Sequence, residues 1–494
     1  MKYFLIFFIS IQSLILCAQT EVNRLTLDDV LYIAKQQSPD ALIAKHRFRR
    51  SYWQYRSFKA SNLPVLSLSG TLPNINHSIT DITLPDGTED YVSQNFTKYS
   101  LDMSVRQRIG LTGGQIFLTS GLRRNDNVIG DNRSTAYNST PVNIGYSQPL
   151  FQYNSFKWDR KIEPMIYDEA SKIYVENIEQ VSLTATNHFF DLLAAQIQKE
   201  IAKKNLQSYD TLYHIAQGRY QLGKIAENEL LQLELNLLRA QGAQENAQLD
   251  YENVLFILKS YLRIKSDAVI ELIPPAETFH FDIDIDKAIK EAKENTSTAL
   301  AFDRRLLQAD SDVNKARMDG RIDATLNAVY GLTQTAESVR GSYTNPLEQQ
   351  QLSLGISVPI LDWGKARGQI KMAESNAELT RTSIEQERID FEQNIYLKVM
   401  QFAMQKNQLM IAAKSDTVAQ KRYEVTQQRY LIGKVNDVLE LNNAQIDNDN
   451  ARKAYYQSLQ TYWTNYYTIR KLTLYDFKEN KKIEFDINEI EQVK

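Results

Sequence analysis

Arg219-Tyr220-Gln221-Leu222-Gly223-Lys224 occurs a second time as Arg429-Tyr430-Leu431-Ile432-Gly433-Lys434, with the pattern Arg-Tyr-x-x-Gly-Lys kept at an offset of 210 residues. Working outward, Gln148-Pro149-Leu150-Phe151 falls on Val358-Pro359-Ile360-Leu361 at the same offset. Self-similarity at a fixed period is the signature of a repeat architecture. The 494-residue chain therefore reads as a tandem duplication. Between the proline and the glycine of each copy the residues have drifted while the spacing has not, which points to a constraint on length itself.

Each proline closes a stretch with strict alternation. In Leu352-Ser353-Leu354-Gly355-Ile356-Ser357-Val358 every large apolar residue is followed by a small or polar one, and Val142-Asn143-Ile144-Gly145-Tyr146-Ser147 keeps the same pattern. A period of two means a strand with one apolar and one polar face. A soluble sandwich also produces such strands, but these are nine or ten residues long, which suits a tilted membrane-crossing strand of about that length. Leu352, Leu354, Ile356 and Val358 would then face lipid, with Ser353, Gly355 and Ser357 facing a lumen. Earlier strand-like segments, 63–70 and 322–330, open each copy. The first copy is longer here: Ser100 to Ile109 and Gln115 to Leu122 flank Leu111-Thr112-Gly113-Gly114 as an extra hairpin near 97–124. The hairpin could join a barrel or stand above it as a cap.

Helices account for most of the remainder. Residues 152–218 and 364–430 are each expected to form one helix of about 67 residues, roughly 100 Å at 1.5 Å per residue, with Pro164 a candidate kink in the first. Shorter helices, 222–264 and 434–473, follow the glycines, and helices over 28–60 and 284–319 open the two copies. The short helices carry apolar residues on two faces: Leu231, Leu235, Leu238 and Leu249 on one, Leu230, Leu233 and Leu237 on another. Two apolar seams imply two neighbours, as in a ring of helices.

Met1 to Ala18 has one early cation, Lys2, then an apolar run, and reads as a secretory signal peptide. The run is shorter than the roughly 20 residues of a spanning helix. Cleavage after Ala18 would remove Cys17, the only cysteine; acylation of Cys17 is the alternative, disfavoured by the bulk of Leu16. No later segment has the composition of a membrane-spanning helix. A net charge of −3 gives no sign of a nucleic-acid partner. His46, His77, His188, His214 and His280 are scattered, and no phosphate loop, nucleophile elbow or metal-spaced ligand set occurs. Neither catalysis, a cofactor nor a bound metal is therefore expected.

The order signal peptide, helix, strand, strand, long helix, Arg-Tyr-x-x-Gly turn and shorter helix, the last six twice over, resembles the outer membrane efflux protein family, the TolC-type channels. The resemblance covers nearly the whole mature chain and rests on order, spacing and duplication together. It implies a mainly α fold with membrane β-strands: a homotrimeric α-barrel tunnel continued by a shared transmembrane β-barrel. The boundaries that follow are a signal peptide 1–18, a first repeat 19–272, a linker 273–281, a second repeat 282–473 and a peripheral C-terminal tail 474–494. The implied function is an outer-membrane exit duct, reaching into the periplasm, of a tripartite efflux or type I secretion system. Its partners would be a periplasmic adaptor, an inner-membrane RND or ABC transporter, and outer-membrane lipid. A periplasmic coiled-coil adaptor and a structural surface protein are the rival readings, and the alternating strands count against both.

The same resemblance assigns roles to residues. Arg219, Gly223, Lys224, Arg429, Gly433 and Lys434 would lie at the adaptor-docking tips, where a tight helix-to-helix turn also favours glycine. Asp437 and Glu440, three apart, would form two acidic rings around the entrance in a trimer, attracting cations; an acid stabilised by the helix dipole is the plainer account of Asp437. Tyr430 and Glu229 would be the contacts that hold the entrance closed, against the plainer role of Tyr430 as a packed coiled-coil tyrosine.

Overall fold

The computed structural model describes residues 22–129, 132–265, 269–275, 281–432 and 438–484. The leader with Cys17, most of the 273–281 linker and the end of the tail lie outside the described residues. In chain order the first repeat contains β1 (Val22–Leu25), α1 (Leu27–Gln37), α2 (Pro39–Ser61), β2 (Val65–Thr83), β3 (Glu89–Arg108), β4 (Gln115–Ile129), β5 (Asn132–Leu150), α3 (Ser155–Gln221) and α4 (Glu227–Leu262). After β6 (Val269–Leu272) come α5 (Ile285–Asn295), α6 (Ser297–Asp319), β7 (Asp323–Ala336), α7 (Val339–Ser342), β8 (Leu347–Ser357), α8 (Lys365–Leu431), α9 (Val438–Thr473), β9 (Tyr475–Asp476) and β10 (Lys481–Lys482).

Both long helices are 67 residues, within three residues of where the composition placed them, and α3 continues through Pro164. Each opening helix is split in two, contrary to expectation. The break after α1 falls at Ser38, held extended at ψ 151°, because Pro39 has no N–H to donate and disfavours the helical conformation before it. The second copy breaks at Thr296, ψ 159°, with no proline. There Glu176 of α3 accepts hydrogen bonds from the Ser297 backbone N–H and from its hydroxyl, both at 2.8 Å, and so caps α6 from outside. In both copies the fragments are 11 and 23 residues.

The chain forms two compact units. One comprises Arg50–Ala170 and Leu300–Glu387, the other Met1–Arg49, Ser171–Ala299 and Arg388–Lys494. The first holds a six-stranded antiparallel sheet in the order β2-β3-β4-β5-β7-β8. The extra hairpin thus lies within the sheet. β2 and β3, 19 and 20 residues, run well past the predicted segments; beyond Gly70 the strand β2 continues with Ile75 and Ile79 on one face and Asn74, Asn76 and Ser78 on the other. β8 ends at Ser357, so Val358, Pro359 and Ile360 belong to the turn into α8. Close pairing uses glycine: a Cβ on Gly145 would overlap the ring of Phe117, its register partner on β4.

The second unit is helical, with β1 and β6 as a parallel pair that sequence patterning missed. Its core gathers Phe189, Phe190 and Leu193 of α3, Leu258 of α4 and Tyr462 of α9. Into this core goes Arg470. Its guanidinium donates to both oxygens of Glu179, at 3.0 and 3.3 Å, and to Asp476 Oδ2 at 2.7 Å, while Tyr466 donates to the other Asp476 oxygen. Burial works against the Asp476 charge, and Arg470 together with the hydrogen bonds from the Glu479 and Lys478 N–H groups and from Tyr466 outweighs it, leaving the carboxyl below its ordinary range. Removing one member of such a buried network strands a charge, which costs about 3–5 kcal/mol. The C-terminal segment begins inside this core: Leu474, Tyr475 and Asp476 are buried.

Candidate functional site

The helix ends that carry the repeated hexapeptide lie in the helical unit. α3 stops in a Schellman turn. The Lys224 N–H donates to the Arg219 carbonyl and the Gly223 N–H to the Tyr220 carbonyl, each at 2.9 Å, and Gly223 sits at φ +63°. Nothing lies near where a Cβ would project from Gly223, so its backbone angle, not space, requires glycine. α4 then starts at Glu227, after Ala226, which offers no side-chain cap; Glu227 and Glu229 in its first turn complement the helix dipole instead.

The second copy of the hexapeptide ends α8. Tyr430 is 1% exposed and packs with Leu212, Ala216, Leu233, Val438 and Leu441. Arg219 reaches across from α3: one Nη donates to the carbonyl oxygens of Tyr430 (3.2 Å) and Leu431 (3.0 Å), and the guanidinium stands 5.3 Å from the Tyr430 ring centre. A cation thereby satisfies the free carbonyls at the end of α8 and meets the negative end of its dipole. Burial pushes the Tyr430 hydroxyl above its ordinary range, Arg219 pulls it back and Glu229 pushes it further. Among the described residues the hydroxyl has no hydrogen-bond partner, so Glu229, which is half-buried, influences Tyr430 through charge and not through a bond.

The remaining predicted residues divide. Arg429 and Lys224 are exposed. Glu440 is half-buried in the first turn of α9. Gly433, Lys434 and Asp437 lie outside the described residues.

Further along the same helices runs a set of polar contacts that sequence reasoning missed. Asn205 donates to Asp449 at 2.7 Å, Gln445 donates to both Asn205 and Asp449, and Tyr209 donates to Asn442 at 2.9 Å. Asp449 has amide partners here and no ion pair among the described residues, and burial raises its carboxyl above the ordinary range despite them. Burial likewise pushes Tyr209 up to about 12. These residues look like any polar positions on a long helix; only the packing of α3 against α9 brings them together.

An antiparallel sheet with alternating faces, joined in one duplicated chain to long paired helices, the first pair closed by a turn at Gly223, defines a helix-and-barrel channel protein. A model of the family described as Outer membrane efflux protein matches residues 114–262 and 290–473, and the chain belongs to that family. It is an outer-membrane efflux channel protein, a transport protein and not an enzyme. In fold it is similar to the CmeC outer membrane channel of Campylobacter jejuni, with a TM-score of 0.67 and 16% identity over 94% of this chain and 89% of that one. It is also similar to VceC of Vibrio cholerae (0.63, 13%, covering 93% of this chain and 97% of that one). The open-state MtrE channel of Neisseria gonorrhoeae gives 0.62 and 15% over 93% and 90%. No curated protein matches in sequence.

Proposed function

We propose that the chain is a passive exit duct assembled from three copies. Strands of the three copies complete one barrel through the outer membrane, and the paired helices form the channel that opens to the periplasm. The boundaries set out from the sequence, a leader 1–18, repeats 19–272 and 282–473, a linker 273–281 and a tail 474–494, are those of such a duct. The observation that carries this reading is one duplicated chain of the outer membrane efflux protein family bearing both a lipid-suited sheet and a capped helix turn. Because the chain lacks any motif for using nucleotide, the driving force would come from an inner-membrane RND or ABC transporter reached through a periplasmic adaptor. Small molecules or polypeptides are the two cargo classes.

The adaptor would dock on the helix turns, with Gly223, Lys224, Gly433 and Lys434 outermost and Arg219 and Arg429 at the helix ends. Tyr430 and Glu229 would hold the entrance closed, and Asp437 with Glu440 would ring it with carboxylates. Adaptor binding then acts as a population shift, preferring a state in which the tip contacts are exchanged for contacts with the partner. Single-channel recording of the purified protein in a planar bilayer tests this reading. Cation-selective steps, blocked by a multivalent cation on the tip side and freed from block by Asp437→Ala/Glu440→Ala, are expected. Conductance without block would remove the acidic entrance, and silence in a variant with both Arg219→Ala and Glu229→Ala would remove the duct.

A further inference from the structure

We propose that all six strands of each copy stand in the membrane wall, so that the closed barrel of three copies has 18 strands, where two strands per repeat would give twelve. This rests on the trimeric outer-membrane duct proposed above. The first repeat contributes four strands and the second two to one continuous sheet, β2-β3-β4-β5-β7-β8.

Register shows that the additional pair carries the same lipid-suited face as the rest. Directly opposed residues of an antiparallel sheet share a face. One such row runs Leu66, Val105, Leu118, Ile144, Tyr330 from β2 to β7, and the adjacent row Ile116, Tyr146, Ala328, Leu352 carries it to β8. The first of these rows passes through β3 and β4 unbroken, while Gln107 of β3 stands opposite Ile116 in the second. On the other face β3 carries Asp102, Ser104 and Arg106, β4 Thr119 and β5 Asn143, with Phe117 of β4 and Val329 of β7 as apolar exceptions in the row of Gly145. A charge on the lipid side near the midplane costs about 2–4 kcal/mol, so a strand pair standing outside the membrane would have no reason to sort its charges this way.

The band also has the right height and edges. From Ile109, at the foot of β3, to Tyr99 is ten residues, about 33 Å along the strand and about 25 Å along the membrane normal at a 40° tilt, the height of an outer-membrane apolar band. At its upper limit Tyr99, Arg124 and Tyr137 are register partners on β3, β4 and β5, with the guanidinium 5.6 and 5.8 Å from the two rings. Aromatic rings with a snorkelling cation belong at a membrane interface. At the lower limit, Leu111 in the β3–β4 turn is exposed, as are Phe151 and Trp363 in the turns leading into α3 and α8. That turn is fixed in place: Asn154, which caps α3, donates to the carbonyls of Gly110 and Leu111.

Six strands are too few to close alone, and open edges are not tolerated in lipid. β2 and β8, the two edges, must therefore pair with another copy. Barrel diameter grows roughly linearly with strand number, so 18 strands give a bore about half again as wide as twelve.

Labelling with a membrane-impermeant maleimide in outer-membrane vesicles, in a Cys17→Ala background, tests the placement. Leu68→Cys, Met103→Cys and Leu118→Cys are expected to react as slowly as Leu354→Cys on β8, and about tenfold slower than Asp86→Cys in the β2–β3 turn, because lipid excludes the reagent. Reaction of the first three at the Asp86→Cys rate, with Leu354→Cys protected, would overturn the inference and leave the duct intact. Reaction at Leu354→Cys as well would overturn the membrane wall itself. Electron-microscopic imaging of the unmodified assembly supplies a count that no substitution can disturb: 18 strands are expected, and twelve would overturn the proposal.

Discussion

The two copies of Arg-Tyr-x-x-Gly-Lys are nearly identical on paper and opposite in the molecule. In the first copy the arginine acts: Arg219 caps the end of α8 through two carbonyls, while Tyr220 is 41% exposed. In the second copy the tyrosine acts: Tyr430 is sealed in the small apolar cluster, while Arg429 points to solvent. A duplicated sequence places matched residues at matched helix ends, but α3 and α8 have different neighbours. Each copy therefore retains half of the motif's capacity, and the halves meet at one contact, Arg219 on Tyr430.

The largest expected effect that would break this asymmetry is Tyr430→Ala. Emptying a fully buried aromatic site costs about 3–5 kcal/mol, and hydrogen exchange should rise in 209–216 and 438–444, while Tyr220→Ala should stay within about 0.5 kcal/mol as an exposed substitution. Equal losses for the two would remove the asymmetry. Next comes Arg219→Ala, which forfeits charge-assisted bonds to two carbonyls and a cation–π contact, about 1–3 kcal/mol in all; Arg429→Ala should leave the melting temperature in detergent unchanged. Gly223→Ala forces a left-handed alanine and should cost about 1–2 kcal/mol, read as faster proteolytic nicking at the turn.

A smaller effect depends on pH. Because Asp449 has a folded pKa above 3.8, the folded state binds the extra proton between the two values, and stability falls as pH rises from about 4 through the folded value. Asp449→Asn should therefore melt higher than the parent at pH 7 and converge with it near pH 4, and a difference that persists at pH 4 would reject the assignment. Asp476, lowered by Arg470, carries the opposite sign: its contribution is present above its unfolded value and is lost as pH falls through the folded one. Smallest of all is Tyr430→Phe. The hydroxyl has no partner among the described residues, so its removal should leave stability within about 0.5 kcal/mol.

Much of this architecture is legible along the chain. The matched helices of 67 residues and the alternation in β5 and β8 are local properties, set by propensity and side-chain period, and short windows carry them. The break at Pro39 is local too, and could have been read from the proline. The break at Thr296 is not, since Glu176 of a distant helix caps the new start. Membership of β3 and β4 in the wall was open for a similar reason: alternation shows that a strand has two faces, but only register shows whose faces are continuous with it.

By itself the sequence determined the duplication, the helix lengths and the family, because each is written in spacing that survives the drift of individual residues. Only the tertiary structure decided which arginine caps, which tyrosine is buried, and that Glu179 and Arg470, 291 positions apart, share the core. Those outcomes depend on which helices become neighbours. A side chain's burial and partners are set by the surface packed against it, and that surface comes from residues hundreds of positions away.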